Sequence, residues 1–484
     1  VASTAVEIAD QVRAGRRRAA EVLEDALQAI EATGRRIHAF LTIDADRARR
    51  RADEIDARVS AGERVGCLAG VAVAVKDNIC TAWGTTTCGS RMLQEYRSPF
   101  NAAVIDRLEA ADAIVVGKTN LDEFAMGSST ELSAFGPTAN PWDTTRVAGG
   151  SSGGSAAAVS AGCVPLALGS ETGGSIRLPA SFCSVVGLKP SYGRVSRYGL
   201  VAFGSSLDQV GPLGRTVRDT ARLLGVIAGK DPRDSTSVDQ PAPDYEAALE
   251  QAPAALRIGV APQMMAAGLD DGVRQVILAA VEAYRRRGAT LIEVDLPHLQ
   301  HAVACYYIVC MAEASSNLAR FDGVHYGCRA HQDRDIVEMV RRSRSEALGS
   351  EVKRRIMLGT YVLSSGYYDA FYLQALKVRA LIKQDFDRVF EQVDVLLSPT
   401  VPVPPFKLGE RLEDPLAMYL TDVYTVSANL AGICAITIPC GFTSDGLPVG
   451  LQMQAPAMAE ARLLSVAHAF QTWTDWHTRS PELR

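Results

Sequence analysis

Short apolar runs alternate with amphipathic stretches along most of the chain, and this alternation gives the first structural reading. "LAGVAVAVKDNI" (68–79), "IVVGKTN" (114–120), "VPLALGSETGG" (164–174), "LRIGVA" (256–261), "TLIEVDL" (290–296) and "DVLLSPT" (394–400) read as strands, the first and last of them as buried ones. Between them "AAVIDRLEAADA" (102–113) and "GVRQVILAAVEAYRRRGA" (272–289) carry apolar residues at helical spacing, and "GGSAAAVSAG" (153–162) is an Ala-rich helix candidate. Strand and helix in alternation predict an α/β fold, a large mixed sheet core covered by helices on both faces.

The first sixty-odd residues read as helical. "AEVLEDALQAIEA" (20–32) is amphipathic, and "IDADRARRRADEIDARV" (43–59) is a charged, mostly exposed helix. Residues 1–65 are therefore expected to be a helical segment packed on one continuous α/β unit, 66–484. Within that unit, 228–245 is rich in Pro, Asp and Ser and reads as a surface excursion, and the pattern from about 300 to 385 is one of long helices.

With 484 residues, 47% of them hydrophobic and 22% charged, the chain has the balance of a globular protein with a sizeable core. A net charge of −5 with no long basic run argues against this chain itself wrapping nucleic acid. No stretch approaches the roughly 18 apolar residues of a membrane span. The first thirty residues lack the apolar core of a secretory signal. The ten cysteines are scattered without a C-x-x-C pair, as expected of small buried hydrophobes in a reducing cytoplasm, and no metal site is expected.

The candidate chemistry lies in glycine-rich turns. "GGSSGGS" (149–155) has the composition of a linker, yet it runs directly into a helix candidate. A phosphate loop would need a lysine at its end, and no lysine occurs between Lys118 and Lys189. The run also matches G-x-S-x-G, centred on Ser151 or Ser152, but that hydrolase pattern needs a histidine base and none lies between His38 and His298. A lysine can take the histidine's place if burial keeps it neutral. Lys76, ending the apolar run "LAGVAVAV", suits that role, although a lone lysine at a strand end more commonly snorkels to solvent. In "SETGGSIR", the backbone N–H groups of Thr172, Gly173, Gly174 and Ser175 can converge on one oxygen as an oxyanion hole; an ordinary glycine turn is the alternative.

Lys76, Ser151 and Ser175 in these glycine-rich frames resemble the amidase signature family. The stretches "GKTNLDEFAMGSSTE", "SYGRVSRYGLVAFGSSLDQVGP", "EVKRRIMLGTYVLSSGYYDAFY" and "MYLTDVYTVSANLAG" resemble in particular the glutamine-hydrolysing subunits of tRNA-dependent amidotransferases. The resemblance implies a catalytic domain over 66–484 with a Ser–cis-Ser–Lys triad. In it Ser175 is the nucleophile, Ser151 the bridge and Lys76 the base, with a cis peptide between Gly150 and Ser151. It further implies glutamine as substrate, Arg355 on its α-carboxylate, Asp422 on its α-ammonium and Tyr306 lining the pocket. The partners it implies are a B subunit, which uses ATP and Mg2+ and binds most of the tRNA, and a small C subunit, together a heterotrimer.

Glu171, Leu178, Ser181 and Ser184 depart from the family's usual S-D-T-G-G-S-[IV]-R-Q-P-A-A-F-C-G, Ala148 precedes GGSS where proline is common, and Cys434 also replaces a usual proline. Two alternatives stay open: a stand-alone amidase acting on another amide and, motivated by these departures, a catalytically weak scaffold subunit. The identity of the tRNA product is not written in this chain.

Overall fold

The computed structural model describes residues 3–251, 255–265, 268–330 and 335–483. In chain order the strands are β1 (Phe40–Ile43), β2 (Ala72–Lys76), β3 (Ile114–Thr119), β4 (Ala139–Asn140), β5 (Asp143–Val147), β6 (Leu166–Glu171) and β7 (Val186–Lys189). They continue with β8 (Gln209–Gly214), β9 (Arg257–Val260), β10 (Thr290–Glu293), β11 (Val395–Pro399), β12 (Cys434–Phe442) and β13 (Pro448–Ala455). Eleven of them make one sheet in the order β1-β3-β2-β6-β8-β7-β12-β13-β11-β9-β10, and β4 pairs with β5 apart from it.

The sheet is mixed. The trio β3-β2-β6 is parallel, as is β11-β9-β10, and the strands joining the two trios run antiparallel. Every residue of β2, β3, β6 and β8 is buried, which requires cover on both faces and explains the apolar runs that begin β2, β3 and β6. The helices Ala103–Ala110, Gly153–Ser160 and Asp271–Arg286 fall where the alternation predicts them.

The N-terminal segment holds one element that the helical reading does not contain. Helix Ala19–Ile37 ends at His38 in the left-handed conformation (φ 54), and the chain then lays β1 antiparallel along β3 at the sheet edge. Four residues between two helices are too few to show a strand period. The excursion at 228–245 is tied down at both ends: the Arg107 guanidinium donates to the carbonyls of Gly229 (3.0 Å) and Lys230 (2.9 Å), and the Tyr245 ring is buried. The helical region contains Ala302–Asn317, Ile336–Ala347, Ser350–Val362 and Gln374–Gln392, the last preceded by a π-helical turn, Tyr368–Leu373. Helix Ala302–Asn317 packs against both Ser350–Val362 and Gln374–Gln392.

Candidate active site

β2 and β6 are neighbouring parallel strands, so their carboxyl ends open on the same side of the sheet, where α/β proteins commonly bind ligands. Lys76 is the last residue of β2. Its side chain is 0% exposed, so it does not snorkel. Its Nζ donates to Ser151 Oγ (2.7 Å), Ser152 Oγ (2.9 Å) and the Ser170 carbonyl at the end of β6 (3.1 Å). Burial pushes the ammonium down to about 7, against the opposing pull of Asp122, Glu171 and Asp208. An amine that is largely deprotonated slightly above neutrality and touches two hydroxyls can relay a proton.

The serine run is neither linker nor phosphate loop: Ser152 is the N-cap of helix Gly153–Ser160, and the Gly150–Ser151 peptide is cis. Its position is fixed across the site by the Ser152 N–H, which donates to the Ser175 carbonyl at 3.0 Å. Ser175 follows the glycine turn leaving β6 and is 8% exposed. The N–H groups of Gly173, Gly174 and Ser175 meet no acceptor among the described residues.

Both glycines are dictated by close neighbours. A Cβ on Gly173 would lie 2.5 Å from the Tyr306 ring, and one on Gly174 (φ 153) would lie 2.5 Å from Thr425 Oγ1 and 2.9 Å from Asp422 Oδ1. The Tyr306 hydroxyl and Thr172 Oγ1 are hydrogen-bonded at 2.8 Å, which ties the tyrosine to the glycine turn.

Asp422 accepts from Ser128 Oγ at 2.7 Å, and burial pushes its carboxyl up to about 7 although Ser128 and Arg355 pull it down. Arg355 is 3% exposed, whereas its neighbour Arg354 keeps 44% of its side chain in solvent, so Arg355 does not belong to a solvated face. Its Nε donates to Glu351 Oε1 (2.8 Å), and the guanidinium lies 5.4 Å from both the Tyr307 and the Tyr419 rings. Both terminal nitrogens of Arg355 carry no hydrogen bond among the described residues, leaving a fork of the kind that grips a carboxylate.

The residues that depart from the family pattern are accommodated. Glu171 Oε2 accepts from the N–H groups of Ile176 (3.0 Å) and Arg177 (3.2 Å), while Oε1 binds the Arg177 guanidinium. Burial raises this carboxyl, and the guanidinium outweighs it, holding Glu171 below its ordinary value. Leu178 packs with Val147, Phe182, Val401 and Phe406, Ser181 Oγ accepts from Gly450 N–H at 3.0 Å, and Cys434 is buried at the start of β12. Ser184 is left in the left-handed region (φ 55), its hydroxyl without a partner among the described residues.

Sequence reasoning missed four contributors. Ser152 is a second hydroxyl on Lys76, and both serines of the run were visible. Glu351 stands four residues before Arg355, an i,i+4 pair readable in "EVKRR". Buried Asp122, which accepts from Thr130 N–H (2.9 Å), and Thr425 carry no local signal. Among the described residues no group of three or more His, Cys, Asp or Glu side chains is disposed to hold a metal ion. No helix among them is long and apolar enough to cross a membrane.

The amidase family profile matches residues 21–464. The chain belongs to the amidase signature family. Among related amidases, the A subunit of the glutamyl-tRNA(Gln) amidotransferase of Thermosynechococcus vestitus is 54% identical over 467 residues, covering 96% of this chain and 97% of that one. The crystal structure of the same-named subunit from Thermotoga maritima superposes with a TM-score of 0.81 at 41% identity, covering 96% of this chain and 95% of its own. The peptide amidase of Stenotrophomonas maltophilia shares the amidase fold at a TM-score of 0.82 and 30% identity, covering 99% of this chain and 98% of that one.

Proposed function

We propose that this chain is the glutamine-hydrolysing subunit of a tRNA-dependent amidotransferase. The observation that carries the reading is Lys76, fully buried, depressed to about 7 and bonded to the hydroxyl of cis-Ser151. Neutral Lys76 takes a proton through the Ser151 hydroxyl from Ser175, whose oxygen adds to the side-chain amide carbon of glutamine. The oxyanion is met by the N–H groups of Thr172, Gly173, Gly174 and Ser175. Lys76, now protonated, returns its proton through Ser151 to the departing nitrogen, so ammonia leaves. Water then cleaves the acyl-enzyme to glutamate by the same relay.

Arg355 and Asp422 supply one cation and one anion for the two charged groups of a free amino acid, with Tyr306 on the wall between them. The 54% identity to the A subunit of a glutamyl-tRNA(Gln) amidotransferase supports glutamine as the substrate. In this reading ammonia passes to a B subunit, which holds ATP and Mg2+ and most of the tRNA contacts, and a small C subunit joins the two in a cytoplasmic heterotrimer. The product is Gln-tRNA(Gln), Asn-tRNA(Asn) or both, according to the partner.

The test is glutamate release from glutamine by the assembled complex, before and after Ser175→Ala. Hydrolysis by the wild type that vanishes in the variant is expected. A wild-type complex without hydrolysis, or a variant that keeps it, contradicts the proposal.

A further inference from the structure

We propose that Thr425 is a positioning residue for the oxyanion turn: its hydroxyl holds the Gly173 carbonyl so that the Gly174 N–H is aimed at the reacting oxygen. The inference rests on the reading of the site given above and adds a residue to it.

Thr425 is fully buried, and its Oγ1 lies 2.6 Å from the Gly173 carbonyl and 3.0 Å from the Asp422 carbonyl. A hydroxyl has a single proton to donate. The Gly173 carbonyl is the nearer of the two, and the Asp422 carbonyl also has the Thr425 N–H at 3.0 Å, so the hydroxyl proton is assigned to Gly173.

A trans peptide is planar, with its C=O and N–H pointing opposite ways. The Gly173–Gly174 peptide is trans, since the cis bond of the described chain is Gly150–Ser151. Pinning the Gly173 oxygen on Thr425 therefore turns the Gly174 N–H away from Thr425, and that N–H meets no acceptor among the described residues. Two successive glycines have the loosest backbone available, so the orientation of this peptide plane depends on its hydrogen bonds more than on its own dihedral preference.

The pin itself is rigid. The Thr425 carbonyl accepts from Arg177 Nη2 at 2.8 Å, and Arg177 is gripped by Glu171, whose carboxylate also receives the Ile176 and Arg177 N–H groups. The turn is thus held from both sides, by Glu171 after the nucleophile and by Thr425 before it. Thr425 also follows Asp422 by one helical turn, so the group proposed to hold the substrate ammonium and the group that aims the oxyanion donor share one short segment.

The experiment compares Thr425→Val, which keeps the shape and removes the donor, with Thr425→Ser, which keeps the donor. Both are made in the chain assembled with its partner subunits, with kcat and KM for glutamine as readouts and Ser175→Ala as the blank. Removing one oxyanion donor outright typically costs about 100- to 1,000-fold in kcat. A donor that is misaimed rather than lost should cost about 10- to 100-fold, with KM within about threefold. Thr425→Ser should stay within about threefold of the wild type.

An unchanged kcat in Thr425→Val, equal losses in both variants, or a rise in KM alone each overturn the inference. Should the valine variant fail to assemble, Thr425→Ala against Thr425→Ser gives the same comparison, decided by the same outcomes. A wild-type complex that does not hydrolyse glutamine overturns the glutaminase reading and this inference together. An active wild type with an unaffected valine variant overturns this inference alone.

Discussion

Lys76, Ser151 and Ser175 come from strand ends and glycine turns between residues 76 and 175, whereas Tyr306 and Arg355 come from long helices and Asp422 from a short helical turn between β11 and β12. The first group is held by backbone geometry: the end of β2, the N-terminus of a helix and the Ser152 N–H on the Ser175 carbonyl. The second is held by side chains, with Arg355 on Glu351 among aromatic rings and Asp422 on Ser128. In the proposed reading the chemistry is thus built on the ends of sheet strands and the turns that leave them. In the same reading, the choice of substrate rests on helix and turn side chains that are replaceable one at a time. The glycine turn is where the two meet, since Gly173 touches Tyr306 and Gly174 touches Asp422 and Thr425.

The largest effect should come from the sheet side. Lys76→Ala removes the proposed base and should lower kcat/KM at least about a thousandfold, because members of one relay act as a unit. The loss should be the same for glutamine and for a short uncharged primary amide. Turnover near wild type in steady-state assays would remove lysine from the mechanism.

The pH profile divides the two groups next. In the proposed reading Lys76 must be neutral to accept a proton, and burial pushes it down to about 7; Asp422 must be anionic to hold an ammonium, and burial pushes it up to about 7. Both requirements are met above that pH and lost below it. As pH falls below neutrality, kcat/KM for glutamine should drop toward about a hundredfold per pH unit, two ionisations being needed, and that for the uncharged amide about tenfold. Parallel slopes for the two substrates would take Asp422 out of the selecting group.

The smallest effect concerns stability. Ser184 occupies the left-handed region with its hydroxyl unpartnered among the described residues, where the family pattern has glycine. Ser184→Gly relieves the backbone cost, so stability should rise by up to about 1 kcal/mol, seen as a higher Tm, with kcat unchanged. A lower Tm would show that the serine side chain makes packing contacts that matter.

The same division governs how much of the molecule was legible in the sequence. Strands β2, β3, β6, β9, β10 and β11 could be read because each is a short apolar run between turn residues. The hairpin β12–β13 was not read, since Pro439 and Gly441 break its first strand at an irregularity in register. A signal was available in Asp445–Gly446, where Gly446 (φ 76) turns the chain back. Sheet order was not legible, because it depends on long-range pairing such as β6 with β8 that no local pattern encodes. Lys76 and the two glycine–serine turns were visible as chemistry before any resemblance. Arg355 and Asp422 were not: an arginine in a basic cluster and an aspartate in a short helix become distinctive only once folding buries them.

The separation of chemistry from selection is tested most directly by one quotient, kcat/KM for glutamine divided by kcat/KM for a short uncharged primary amide, in the wild-type complex and in Arg355→Ala. Truncating one partner of a buried charge contact costs roughly 2–5 kcal/mol, and each 1.4 kcal/mol is about tenfold. The quotient should therefore fall at least about tenfold, with nearly all of the change on the glutamine side. An Arg355→Ala enzyme that loses both substrates by the same factor would contradict the account, placing Arg355 in support of the fold or the triad.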